Sequence, residues 1–135
     1  MKINNIGAVS LYTSSPGDPV RGYINVQNDY SSQTVDVFWS YGVYDGAENF
    51  SIYAYVIQEN YTFQGTSSIL YETGSFATPN NPGTWDLFAI LADDIYFDGD
   101  MLAVVGNRGA KIEENAWTIS ALAELEVLNV GVDGA

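Results

Sequence analysis

Thr34-Val35-Asp36-Val37-Phe38-Trp39-Ser40-Tyr41-Gly42-Val43-Tyr44 decides the fold class. Val35, Val37, Trp39, Tyr41 and Val43 recur at every second position, so an extended chain carries all five on one face, whereas a helix would scatter them. The run is rich in β-branched and aromatic side chains, which pack well on a pleated surface. Asp45-Gly46 follows directly and is a tight-turn dipeptide, because Gly accepts the positive φ that hairpin turns demand. The segment therefore reads as a strand buried on one face and entering a hairpin.

The same alternation extends in both directions. Ile6 to Tyr12 reads as a first strand and Val20 to Gln27 as a second, with the proline- and glycine-containing turn Ser14 to Pro19 between them. Phe50 to Gln58 is the strand returning from the hairpin. Ser68 to Phe76 and Trp85 to Ala92 follow, separated by the loop Thr78 to Thr84. Asp93 to Asp100 reads as an acidic loop, Met101 to Val105 as a short strand and Asn107-Arg108-Gly109 as a turn. Ala116 to Val130 is a long final stretch. Trp117, Ile119, Ala121, Ala123, Leu125 and Val127 favour a strand there, but Ser120 to Leu128 is also rich in helix formers, so helix stays open. No internal repeat is evident. The chain reads as one domain, 1–135: an all-β, immunoglobulin-like antiparallel β-sandwich of about seven to eight strands.

Two short motifs carry a family resemblance. Ser15-Pro16-Gly17-Asp18-Pro19-Val20 with Ile24-Asn25-Val26-Gln27-Asn28, and later Pro82-Gly83-Thr84-Trp85, resemble the turn–strand patterns of prokaryotic cell-adhesion-related immunoglobulin-like domains, the CARDB type. The resemblance covers roughly Ile6 to Leu91 and implies a sandwich that works by adhesion or spacing. The sequence departs from that pattern after Leu91.

Composition narrows the chemistry. Seventeen acidic residues face four basic ones, a net charge of −13. Nucleic-acid binding needs clustered Lys or Arg against phosphates, and this chain has none. An anionic membrane surface is disfavoured for the same reason, and no apolar run reaches membrane-spanning length. There is no Cys and no His, which removes thiolate metal sites, Cys nucleophiles and every arrangement that uses a histidine base. The chain is not expected to be an enzyme. No signal peptide is visible at Met1-Lys2-Ile3, which points to a virion part made in the cytosol or to a surface protein whose leader has been removed.

Three sets of residues are candidates for function. Asp93, Asp94, Asp98 and Asp100, with Gly99 among them, have the clustered oxygens that Ca²⁺ prefers, although Tyr96 and Val105 break an EF-hand pattern. Apart from that Ca²⁺ no cofactor is expected. Asn49-Phe50-Ser51 and Asn60-Tyr61-Thr62 are N-glycosylation sequons, at home in an archaeal or extracellular setting. Leu122, Leu128 and Val130 with Tyr53 and Tyr55 form a candidate assembly surface; Tyr23, Tyr44 and Tyr71 are further contact candidates. Trp39, Trp85 and Trp117 lie on inward faces and read as core before they read as a sugar platform.

The expected function is structural: a capsid, decoration, tail or filament subunit at a virion or extracellular surface that self-associates, or assembles with other structural proteins, through sheet edges. The alternative is a glycan- or cell-surface-binding adhesion module, Ca²⁺-dependent if the acidic segment holds an ion. Trp exposure separates the two.

Overall fold

A computed structural model describes residues 1–9, 13–47 and 49–121. Among the described residues nine strands pack as two facing sheets, and there is no helix. β1 (Lys2–Val9), β3 (Pro19–Asn28), β6 (Ser67–Glu72) and β7 (Phe76–Ala77) form one sheet, with β6 and β7 lying end to end along the same side of β3. β2 (Thr13–Ser14), β9 (Met101–Ile119), β8 (Gly83–Asp98), β4 (Gln33–Tyr44) and β5 (Phe50–Phe63) form the other, in that order. The β-sandwich expectation holds. The strand pairs are antiparallel apart from one short pair, β2 with β9 at Thr118 and Ile119, which is parallel.

Alternation builds the core. Val35, Val37, Trp39 and Tyr41 from β4 meet Leu87, Ala89 and Leu91 from β8 and Ile24 and Val26 from β3, all fully buried. Trp39 lies at the centre and donates from Nε1 to the Gly7 carbonyl at 3.2 Å. A Cβ on Gly22 would sit 2.4 Å from that indole, so only glycine lets β3 pass so close.

Four segments differ from their sequence reading. The first strand begins at Lys2 and its last described residue is Val9; Ser10 to Tyr12 lie outside the described residues. Ser68 to Phe76 is two strands, interrupted at Thr73, whose hydroxyl accepts the Gly22 N–H at 2.9 Å in place of a ladder carbonyl. Asp93 to Asp100 is not a loop: β8 continues to Asp98 and only Gly99-Asp100 turns. Asn107-Arg108-Gly109 does not turn at all; β9 runs through it, because a register shift opposite Leu91 and Ala92 absorbs the irregular residues. Of the ambiguous final stretch, Ala116 to Ile119 is strand, and the residues from Leu122 onward lie outside the described ones.

The structure also overturns the absence of a repeat. Hairpin β4–β5 and hairpin β8–β9 are copies of one plan. Register shifts fall between Val35/Val37 and Tyr41/Gly42 in the first, and between Trp85/Leu87 and Leu91/Ala92 in the second. Thr34, Asp36 and Phe38 thus correspond to Thr84, Asp86 and Phe88, and Glu59, Asn60 and Thr62 to Glu114, Asn115 and Thr118. Between the hairpins, Asp36 pairs with Ala92 and Gly42 with Asp86, symmetrically about Trp39 and Ala89. A local two-fold axis normal to the sheet therefore relates the two halves.

Each copy is held by a buried carboxylate. Asp36 accepts the N–H groups of Asn60 (3.1 Å) and Ile95 (2.9 Å); Asp86 accepts those of Asn115 (2.8 Å) and Tyr44 (2.8 Å). Asn60 and Asn115 share a left-handed backbone, φ 55° and 54°. Bulged N–H groups cannot reach a ladder carbonyl, and the aspartates satisfy them instead. A hydroxyl pair, Thr34–Thr62 in one copy and Thr84–Thr118 in the other, closes each hairpin beside its bulge.

Beyond the repeat, β8 and β9 run on and the hairpin tip folds over the outer face of its own sheet. Ile95, Phe97, Leu102 and Val104 cover Phe38 and Ile90 there, a second core outside the sandwich. Phe97 lies 4.6 Å from Tyr55 on β5, although β4 separates the two strands in the sheet.

Asp36→Ala and Asp86→Ala should each destabilise the domain by about 2 kcal/mol in urea unfolding, since each removes the acceptor of two N–H groups; the Ile95 bond is buried and the others are part-buried. Equivalence requires similar values; a loss under about 0.5 kcal/mol at either position would remove the clamp role. Tyr71 supplies a pH test. Burial pushes its phenol up to about 12 from 10.0, with Tyr61 adding to the shift, and its hydroxyl donates to Gln58 Oε1 at 2.6 Å. The raised folded pKa means its contribution is complete below pH 10 and is lost as pH rises towards 12. Tyr71→Phe should flatten that part of the alkaline unfolding profile; an unchanged profile would rule the contribution out.

Candidate functional site

Among the described residues no group of three or more acidic side chains is placed to hold a metal. Asp93, Asp94, Asp98 and Asp100 are all exposed and are strung along the hairpin; Asp93 is taken by Arg108, whose Nε donates to its Oδ1 at 2.7 Å. Gly106, at φ 68°, leaves room for that carboxylate: a Cβ there would meet it at 2.1 Å.

The tyrosines expected to share one surface are divided. Tyr53 packs on Tyr41 and Trp85, rings of the inner-core side, while Tyr55 stacks on Phe38 in the outer cluster. The register shift opposite Tyr41 and Gly42 separates them. Tyr71 is buried and is no contact residue. Leu122, Leu128 and Val130 lie outside the described residues. Both sequon asparagines are exposed: Asn49 at the β4–β5 turn, where its backbone N–H donates to Asp45 Oδ1 at 3.3 Å, and Asn60 in the bulge. The Asp45 carboxylate accepts the Ala47 N–H at 2.8 Å, and that bond holds its pKa below the usual range.

A cleft that no sequence motif announced lies at the end of the sandwich where β4 begins. Met1, Tyr30, Ser31, Gln33 and Arg108 line a volume of about 420 Å³, within the roughly 300–1,000 Å³ of small-ligand clefts. Asn28, wholly buried at the end of β3, builds it. Its amide donates to the carbonyls of Gln64 (2.9 Å), Ser31 (3.2 Å) and Phe63 (3.4 Å), and its Oδ1 accepts from the Tyr30 N–H and from Gln33 Nε2, both at 3.2 Å. Gln33 Oε1 in turn accepts Arg108 Nη1 at 2.5 Å. One buried amide thus fixes the loop, the glutamine and, through it, the arginine. Other N–H donors of the guanidinium remain for a ligand. Tyr30 stands over the cleft, 66% exposed. The hint available beforehand was an aromatic residue in the otherwise polar loop Asn28 to Ser32.

The tryptophan test gives a divided result. Trp39 and Trp117 are buried; Trp117 Nε1 donates to Ser14 Oγ at 2.8 Å. Trp85 is half-buried, with its Nε1 on the Asn81 carbonyl at 2.9 Å and Tyr53 against it at 4.7 Å.

With this geometry in hand, comparison with known proteins adds a fold and no family. A scan against protein-family models finds no match, nor does a search of curated proteins, so the CARDB resemblance rests on its two motifs alone. Among solved structures, a Paenibacillus sp. cycloisomaltooligosaccharide glucanotransferase complexed with cycloisomaltoheptaose is similar at TM-score 0.54 and 15% identity, over 90% of this chain and 14% of that one. Spo0M, the sporulation control protein of Bacillus subtilis, is similar at TM-score 0.53 and 12% identity, over 96% of this chain and 54% of that one. The chain thus spans about one seventh of the first protein and about half of the second. At these identities the likeness is one of fold: a β-sandwich that recurs as part of larger proteins. Neither neighbour supports a virion, capsid or filament role. No helix among the described residues is long and apolar enough to cross a membrane.

Proposed function

We propose that this domain is a non-catalytic saccharide-binding β-sandwich and that the Tyr30–Gln33–Arg108 cleft is its binding site. The observation that carries the reading is the held geometry of that cleft. An exposed phenol ring offers a face to the C–H surface of a sugar, while amide, guanidinium and carboxylate groups beside it match sugar hydroxyls. Asn28 orders the loop in advance, so a ligand spends little free energy arranging it. A binding role suits a chain without His or Cys, whose buried carboxylates Asp36 and Asp86 are occupied by backbone N–H groups. A sugar-bound enzyme among the fold neighbours is compatible with it.

The test is calorimetric titration with isomaltoheptaose, cellohexaose and a galacturonate oligomer. One of them should bind, and Tyr30→Ala should weaken it about tenfold, a loss of one ring contact. Arg108→Ala should act in the same direction. Titrations without heat for all three sugars, or binding that both variants leave intact, would sink the cleft reading.

A second reading, self-association, is favoured by the open edge of β5. Among the described residues nothing pairs with that edge, whereas the equivalent edge of β9 takes β2. Between its two bulges the strand reads Ala54-Tyr55-Val56-Ile57-Gln58, without charge or proline. Antiparallel pairing of two copies about Val56 sets Tyr55 beside Ile57 of the second copy, a favourable aromatic–aliphatic pair. In this cysteine-free chain, Val56→Cys should then form a disulfide dimer under mild oxidation and Glu59→Cys should not. Equal crosslinking at both positions, or none, would count against the pairing.

A further inference from the structure

We infer that the domain carries a second saccharide-binding corner at its opposite end, formed by Tyr53, Trp85 and Asn81; this rests on the saccharide reading of the first cleft. The two-fold relation between the hairpins generates it. The β4–β8 pairing makes each β4 residue equivalent to the β8 residue numbered 50 higher, and the hairpin ladders make β5 residues equivalent to β9 residues numbered 55 higher before the bulges. The Gln33 end of the sheet is thereby exchanged with the Gly83 end, and Arg108 with Tyr53.

The loops that enter the two hairpins are anchored alike. The first starts from buried Asn28. The second starts from buried Thr78, whose N–H and hydroxyl both bond the Asp18 carbonyl at 2.8 Å and whose own carbonyl accepts the Gly17 N–H at 2.8 Å. The plan is shared, but the side chains differ. Where the first corner has a guanidinium, the second has a ring.

The second corner has the features of a sugar platform. Tyr53 is 59% exposed, and only Tyr30 is more exposed among the aromatic rings of the described residues. The two most exposed rings therefore stand at symmetry-related ends. Tyr53 lies flat against Tyr41, interplanar angle 13°, and meets Trp85 edge-on at 63°, so both neighbours hold the ring whose exposed part would stack on a pyranose. Asn81 brackets the corner: its carbonyl accepts Trp85 Nε1, and its Nδ2 donates to the Tyr41 hydroxyl at 3.0 Å. Those bonds hold the indole and leave the Asn81 Oδ1 as an acceptor for a sugar hydroxyl. The three side chains named for this corner, Tyr53, Trp85 and Asn81, are uncharged, so it suits a neutral sugar, whereas the Arg108 cleft also tolerates an acidic one.

Trp85 makes the two ends separately observable. Trp39 and Trp117 are buried, so a ligand-induced change in tryptophan emission reports on Trp85 and this corner. Isomaltoheptaose, cellohexaose and the galacturonate oligomer are titrated against the wild-type chain, Tyr30→Ala and Tyr53→Ala, with calorimetry and tryptophan emission read together. The expected result is two molecules of a neutral sugar bound per chain. The emission change should survive Tyr30→Ala and be lost, with about a tenfold weaker second site, in Tyr53→Ala. Binding and an emission change that only Tyr53→Ala abolishes would uphold this corner while removing the first cleft. One sugar per chain, lost in Tyr30→Ala and silent in emission, would overturn the second corner and leave the first reading standing. No binding of any of the three sugars overturns both. Circular dichroism of the two variants, matched to wild type, secures the comparison against a folding defect.

Discussion

Two buried carboxylates set the shape on which everything else depends. A long antiparallel hairpin with an extra residue in one strand has an N–H with no ladder partner, and burial makes that costly. Asp36 and Asp86 each accept such a bulged N–H from the neighbouring strand and a second N–H from the far side. The bulges can then persist inside a packed sheet. The other register shift of the first hairpin, opposite Tyr41 and Gly42, re-aims the side chains beside it, which is why Tyr53 and Tyr55 lie against different cores. Charge here does structural work, and the carboxylates that do it are not those of the conspicuous acidic segment.

From this frame the two ends of the sandwich acquire their character. The sheet interior is filled by Trp39, Trp117 and their neighbours. What remains adaptable are the loops entering β4 and β8, each tethered at a buried polar residue and each bearing an exposed ring nearby. The same scaffold supports different linings because the fold depends on Asp36, Asn60, Asp86 and Asn115, and recognition on residues that are not among them.

Alternation made the sandwich legible: Val35, Val37, Trp39 and Tyr41 of β4 are buried as it implies, while Val43, beyond the register shift at Gly42, is 49% exposed. The turn Ser15 to Asp18 is legible too, since Asp18 and Ser15 close it as proline and glycine there demand. Alternation is blind to bulges, however, because one extra residue moves the pattern to the other face. That is why Asn107-Arg108-Gly109 reads as a turn when it is strand. The repeat was hidden for a related reason: its shared residues, such as Thr34, Asp36 and Phe38 against Thr84, Asp86 and Phe88, are separated by positions that only need to be apolar. The cleft was invisible because Met1, Tyr30, Gln33 and Arg108 are brought together by pairing across most of the chain. Its organiser, Asn28, looks like an ordinary loop residue until its five hydrogen-bonding contacts are seen.

The folded-over tip of β8 and β9 has a consequence for how the molecule behaves in a crowd of its own kind. Its inward side chains, Ile95 and Phe97, seal Phe38 and Ile90, and its outward ones include Asp94, Asp98 and Asp100. The cover over that apolar surface is therefore also the most negatively charged stretch of the hairpin. Near neutral pH that stretch repels neighbouring molecules where adhesion would be most damaging. Close to the isoelectric point of about 4.1 the net charge of the whole chain vanishes, and that repulsion vanishes with it.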